Sequence, residues 1–169
     1  MRAEMTEIVM PGDANPMGTA FGGKIMQWID IAAGIAAMRA VGAAVTASVD
    51  SIEFNKPIMV GDVVTLKAAV NKVWNTSMEV GVQVTFQSRR LISIGAGGMF
   101  MRADYYRYYL AEPVQACRAY LTFVAVDDNG KRIEIDHGQL PPTEGEEWVR
   151  RAEEAEVRRA IRLANRKGK

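Results

Sequence analysis

The sequence predicts an α+β domain in which an antiparallel sheet wraps one buried helix. Three observations carry that prediction. One stretch, "KIMQWIDIAAGIAAMRAV", places apolar residues at helical spacing; several later stretches alternate with a period of two; and strands do not alternate with helices as in a parallel sheet.

Taken in order, "EIVMP" reads as an edge strand ending at Pro11, and the polar turn "GDANPMG" follows. From Gly23 to Val41, the residues Ile25, Ile29, Ala32, Ala33, Ala36 and Ala37 form a stripe too wide for a surface helix, and Gly42 can act as its C-cap. From Val45 the period becomes two. Val45, Ala47 and Val49 share one parity and Ile52 and Phe54 the other, so the alternation slips at Asp50-Ser51, as at a β-bulge or where a strand changes its packing face. "NKPIMVGD" turns the chain, and Val64, Leu66, Ala68 and Val70 make the inward face of a second strand. "NKVWNTS" turns it again, after which Met78, Val80, Val82, Val84 and Phe86 alternate through a third. "AYLTFVAVD" is apolar on both faces and reads as a central fourth strand, closed by the turn chemistry of "DDNGK".

Between the third and fourth strands, "SRRLISIGAGGMFMRADYYRYYLAEPVQAC" is long for a hairpin and reads as an insertion or strand extension. Residues 1–140 therefore form the expected domain, and 141–169 a charged helical tail. The tail has acids early and bases late, matching the helix dipole. Its alternating charges read as a solvated face, and Trp148, Ala152, Ala155, Val157, Ala160 and Ile161 leave a thin apolar seam for docking on the body or on a neighbouring subunit.

Composition narrows the chemistry. With 169 residues there is room for one ordinary domain and its core. Lys and Arg (21) nearly balance Asp and Glu (20), so no global field draws the chain to nucleic acid or to an anionic membrane. The apolar run from Ile31 to Met38 is too short for a bilayer and no basic-then-apolar leader precedes it, so no membrane insertion or secretion is expected, and with a single cysteine a reducing cytoplasm is the expected home. The single cysteine, Cys117, offers neither an internal disulfide nor a CxxC pair. The single histidine, His137, excludes a multi-histidine metal centre within one chain, and any Ser-His or Cys-His site must recruit that residue.

Asp30 is the residue that asks for a role. On a helix its neighbours at three and four positions are Met26, Gln27, Ala33 and Gly34, so its carboxylate should emerge among small or apolar groups, where desolvation favours a sharper base. Gly34, costly inside a helix, implies a close approach by a ligand, a strand or a partner chain. Gly22 and Gly23 put backbone N–H groups at the positive end of the helix dipole, where they either simply start the helix or polarise a carbonyl. Asn15 either closes its own turn or holds a water or a reacting carbonyl.

Together, "MPGDANPMGTAFGGKIMQWIDIAAGIAA", "VTASVDSIEFNKPIMVGDVV" and "AYLTFVAVDDNGK" resemble the acyl-CoA thioesterases of the hotdog fold, in the branch of the bacterial YciA enzymes and the brain-type acyl-CoA hydrolases. The resemblance spans roughly residues 6 to 133 apart from the Tyr-rich insertion. It implies a long helix wrapped by an antiparallel sheet, a homodimer whose sheets run together, and often a trimer of dimers. By the same resemblance Asp30 is the acid, Asn15 the asparagine contributed by the opposite subunit, and Gly22-Gly23 the pair whose amides polarise the thioester carbonyl. Where the brain-type enzymes carry histidine, Phe21 stands here, as in the YciA-like branch.

That implication agrees with the histidine count. A thioester is already activated, so one carboxylate can serve as general base for water or as nucleophile, with no cofactor and no metal. The resemblance also places "NKVWNTS" near the nucleotide part of CoA, where Lys72, Thr76 and Ser77 either meet phosphates or remain ordinary hairpin residues. Lys56 matches a basic family position, with packing or solvation as its other reading. The expected function is hydrolysis of acyl-CoA to CoA and a carboxylic acid. The rivals are a non-catalytic acyl-CoA sensor on the same fold and a ligand-free oligomeric scaffold.

Overall fold

The long helix α1 runs from Gly22 to Val41 and is the centre about which the chain is arranged. Its apolar stripe, Ile25, Trp28, Ile29, Ala32, Ala33, Ala36 and Ala37, is buried, and small alanines let the sheet come close. Gly42 ends it at φ 82°, a left-handed position that glycine takes without strain, and its N–H donates to Met38 O at 2.9 Å. In this computed structural model residues 1–94, 105–140 and 146–167 are described. Among them no helix is long and apolar enough to cross a membrane.

Around α1 curves a five-stranded antiparallel sheet of order β1-β3-β4-β7-β2, made of β1 (Arg2–Ile8), β2 (Ala44–Phe54), β3 (Val63–Val73), β4 (Ser77–Gln87) and β7 (Val114–Ala125). The expected core faces are the observed ones. Val64, Leu66, Ala68 and Val70 of β3, Met78, Val80, Val82 and Val84 of β4, and Ala119, Leu121 and Phe123 of β7 are buried, while Phe86 is only partly so. β7 lies between β4 and β2, so it is central as its two apolar faces require.

Several boundaries differ from expectation. β1 is an edge strand but spans Arg2–Ile8, and the chain leaves the sheet before Pro11, which opens a short 3₁₀ turn (Pro11–Asp13). Part of the Tyr-rich insertion is a separate ribbon in which β5 (Arg89–Ile94) pairs with β6 (Tyr105–Leu110). The middle of that insertion, 95–104, lies outside the described residues, and its end, from Val114 to Cys117, belongs to β7, which starts earlier than expected.

The tail forms α2 (Glu146–Lys167), docked against the outer face of the sheet, opposite α1. The expected seam is corrected here. Ala152 and Ala155 are buried, but Val157 and Ile161 are exposed. Nor is the charged side simply solvated: Arg158 pairs with Glu79 and Arg162 with Asp50, both on the sheet. Acids buried on the outer sheet face recruit the helix through its arginines, which outweighs the thin apolar stripe.

Candidate active site

Two loops fix the entry to α1. The loop carrying Asn15 pairs with the loop after β2: Ala20 N–H donates to Ile58 O at 2.8 Å and Val60 N–H to Gly18 O at 3.1 Å. Asp13 anchors the helix start. Its carboxylate accepts from Met10 N–H at 3.0 Å and pairs with Lys24 at 3.1 Å, contacts that hold it below the usual carboxylate range, and its carbonyl accepts from Phe21 N–H at 2.9 Å.

Phe21 caps α1 with an extended backbone and no side-chain hydrogen bond. The Lys24 and Ile25 amides both return to Phe21 O, at 2.9 and 3.1 Å, whereas the Gly22 and Gly23 amides have no acceptor among the described residues. These are the free donors that a helix N-terminus offers to a negatively charged oxygen. Gly22 also lines a cleft of about 270 Å³ with Thr19, Phe54, Lys56, Ile58 and Cys117. A Cβ at Gly22 would stand 3.7 Å from Phe54 Cζ, and one at Gly23 would meet nothing within 4 Å. The glycine pair therefore lies open beside a mostly apolar cleft with one lysine at its rim.

Asn15 makes the contacts of a turn residue. Its Oδ1 accepts from Met17 N–H at 3.0 Å and from Thr19 N–H at 3.3 Å, and its Nδ2 donates to Thr19 Oγ1 at 2.7 Å. The Thr19 hydroxyl it touches lines the cleft.

Asp30 lies eight residues beyond Gly22, about 12 Å along the helix axis. Its surroundings correct the sequence expectation: within one protomer the carboxylate is exposed, beside the β2 edge of the sheet. Met26, Ile31 and Met38 on the same side are also exposed. Among the described residues one polar group meets it. Thr46 Oγ1, on β2, donates to Asp30 Oδ1 at 2.7 Å. Sequence reading missed Thr46, since threonine is common in strands; the only signal was the nearby slip in alternation. Asn15 and Asp30 make no hydrogen bond to each other within the protomer, each being occupied by its own threonine. A Cβ at Gly34 would meet Phe123 Cε1 at 3.9 Å, an ordinary packing distance, so the strand behind the helix does not come close enough within the protomer to require glycine there.

The other expected residues are spread out. Lys56 lines the cleft with Gly22. Thr76 and Ser77 stand at the β3–β4 turn, and Ser77 lies across β7 from Val45, one row from Thr46. Lys72 is directed to α2, with its Nζ 3.5 Å from Glu156 Oε1. Cys117 is fully buried, and burial pushes its thiol up to about 11, so it is no nucleophile at neutral pH. His137 is exposed in a 3₁₀ turn after the sheet. A larger cleft of about 630 Å³, between the outer sheet face and α2, contains none of the expected site residues.

Comparison with known proteins shows the family. The Thioesterase superfamily model matches residues 17–93. Over 163 residues, 96% of the chain, the sequence is 36% identical to the uncharacterized acyl-CoA thioester hydrolase YkhA of Bacillus subtilis, 81% of which is covered. It is 35% identical, also over 163 residues, to acyl-coenzyme A thioesterase 11 of Mus musculus, and the chain spans only 24% of that longer protein. An apo-hexameric acyl-CoA thioesterase superposes with a TM-score of 0.78 at 32% identity, covering 97% of this chain and 92% of the other. The acyl-CoA hydrolase of Staphylococcus aureus, in complex with butyryl coenzyme A, coenzyme A and coenzyme A disulfide, superposes at 0.73 with 33% identity, covering 98% and 85%. Mutants of that hydrolase carry alanine in place of an asparagine, an aspartate or a threonine. The chain belongs to the thioesterase superfamily, among the hotdog acyl-CoA thioester hydrolases.

Proposed function

We propose that this protein hydrolyses acyl-CoA to CoA and a carboxylic acid, with Asp30 as the general base. The observation that carries the reading is the Thr46–Asp30 hydrogen bond on the same helix whose first two amides are free. Asp30 takes a proton from water, and the hydroxide adds to the thioester carbon. The Gly22-Gly23 amides of the other protomer, the one that also brings Asn15, stabilise the oxygen that becomes negative, because those of the same helix lie about 12 Å from Asp30. The carbon–sulfur bond then breaks, and the departing thiolate takes the proton from Asp30. Thr46 leaves one carboxylate oxygen for water by occupying the other. Spacing in a relative supports these assignments: in the Staphylococcus aureus hydrolase the replaced asparagine and aspartate stand fifteen positions apart, as Asn15 and Asp30 do here. The replaced threonine follows that aspartate by seventeen positions, against sixteen for Thr46.

The site is completed by a second copy. β2 is an edge strand of eleven residues with exposed Val45, Val49 and Phe54, next to exposed Ile31 and Met38 on α1. An apolar edge of that length demands a partner. Pairing β2 with β2 joins the two sheets, removes water from around Asp30 and lets Asn15 of one protomer approach Asp30 of the other. Hexameric neighbours support a trimer of such dimers. Lys56 beside the cleft, and Lys72, Thr76 and Ser77 at the β3–β4 turn, are assigned to CoA; Lys72 reaches a phosphate by releasing Glu156.

Thiol release from acyl-CoAs of increasing chain length, compared between wild type and Asp30→Ala, tests the reading. Release by wild type and its loss in the variant are expected. Unchanged release in the variant removes Asp30 from the chemistry, and binding of acyl-CoA by wild type without any release makes the protein a sensor.

A further inference from the structure

β2 has two tasks that a regular strand cannot combine. Thr46 has to face α1 to reach Asp30, while Ser48 and Asp50 face α2; without interruption, residues 46, 48 and 50 would share one side of the sheet. A register shift against β7 between Thr46 and Ser48 resolves the conflict, and a second between Val49 and Ser51 leaves Asp50 itself without a partner in the ladder. Thr46 thereby lies opposite Phe123, whose ring packs at Gly34 of α1, and Ser48 lies opposite Thr122 on the outer face. A bulge residue is not held by the strand ladder, so its position depends on other contacts.

Those contacts converge on Asp50. Its carboxylate accepts from Ser48 Oγ at 2.7 Å, from Thr122 Oγ1 at 2.8 Å and from Arg162 Nη1 of α2. The same guanidinium nitrogen donates to Thr122 Oγ1. The Arg162 and Asp50 side chains are only 13% and 6% exposed, so the pair is largely withdrawn from water. Trp74 lies beneath the Arg162 guanidinium, 5.9 Å from ring centroid to Cζ.

We infer that Arg162 is a positioning residue for hydrolysis. By holding Asp50 it fixes the double irregularity of β2, and so sets the Thr46 hydroxyl on the Asp30 carboxylate on the far side of the sheet. The C-terminal helix, which lies beyond the residues matched by the superfamily model, thus tunes a site it does not touch. The inference rests on Asp30 being the base.

The test is a kinetic cycle on the full-length protein. Arg162→Met is expected to lower kcat about tenfold with little change in KM, a misplacement effect, and Arg162→Lys to recover part of the loss. In a Thr46→Val background the same Arg162→Met change should cost nothing further. Equal losses in both backgrounds overturn the inference. If Arg162→Met does not fold, Asp50→Asn enters the same cycle with the same expectation. Amide hydrogen exchange across residues 46–51 gives a readout independent of activity: it should quicken in Arg162→Met, and an unchanged rate overturns the inference. Absence of thiol release from wild type would refute the assigned reaction, leaving the exchange rates to decide whether Arg162 holds the bulge.

Discussion

The Thr46 hydroxyl donates to the Asp30 carboxylate at 2.7 Å, joining an edge strand to the exposed side of the central helix. Neither residue packs in the protomer core, so replacing either should leave folding nearly intact and act on chemistry. Asp30→Ala is expected to lower kcat by about 10²–10⁴-fold, the usual worth of a positioned base. Thr46→Val, which keeps the shape and deletes the hydroxyl, should cost about tenfold or more through misorientation. Steady-state kinetics beside thermal melts separate the two effects, and a large drop in melting temperature would point to structure instead.

The helix start can be probed without strain. Gly22 is the first residue of α1 and Phe21 before it has φ −60° and ψ 134°, the region a residue preceding proline prefers. Gly22→Pro therefore removes one free N–H from a position where the ring is tolerated. Gly22→Ala keeps the N–H and adds a methyl at ordinary contact distance from Phe54. Hydrolysis should fall about 10²-fold in the proline variant and far less in the alanine variant; equal losses would mean that cleft shape, not the amide, matters.

Legibility in the sequence follows what each pattern depends on. The helix stripe and the faces of β3 and β4 are readable because burial within one chain sets their periodicity, as Ile29, Leu66 and Val82 illustrate. β2 is less readable, because Val45 and Val49 stay exposed on the protomer, so burial within one chain does not set their pattern. The docking of α2 is hidden for a different reason. Arg158 and Arg162 look like solvated charges until Glu79 and Asp50, distant in sequence, are placed beneath them. Asp30 is conspicuous as a charge in an apolar helix, whereas Thr46 is an ordinary strand residue whose contact with Asp30 exists only in three dimensions.

Pairing through β2 should respond to charge. Val49 is exposed on the protomer and belongs to the unpaired edge. Val49→Glu places two like charges near each other across a joined sheet, an arrangement that edge strands use to prevent association. Sedimentation should show protomers, circular dichroism an unchanged fold, and the thiol assay lost activity. An active protomer would remove the need for a site shared between two chains.

Cys117 supplies a pH prediction. Burial raises its thiol from an ordinary 9.0 to about 11, so the fold favours the neutral thiol. The associated stability is fully present below the unfolded value and is lost as pH rises through about 11. The thiol should resist alkylation at pH 8 until the protein is unfolded, and Cys117→Ala should retain hydrolysis. Rapid labelling of the native protein would contradict its buried position.

On the outer face, the most exposed prediction for stability concerns Glu79, which has 0% of its surface accessible. Arg158 approaches it with Nε at 2.9 Å and Nη2 at 2.7 Å, Asn71 Nδ2 donates at 2.9 Å, and the guanidinium stacks 3.7 Å from the Tyr120 ring centroid. Gly81 leaves room for this arrangement, since a Cβ there would lie 2.7 Å from Asn71 Nδ2. Arg158→Met strands a carboxylate away from water and should cost about 3–5 kcal/mol in urea unfolding. Replacing both partners, Glu79→Met with Arg158→Met, removes the unmet charge together with the attraction and should recover most of that loss. Gly81→Ala should cost about 1–3 kcal/mol by displacing Asn71 and breaking its hydrogen bond. If the double replacement is as unstable as Arg158→Met alone, the pair contributes through α2 docking itself, and proteolysis within α2 should then accelerate in both variants alike.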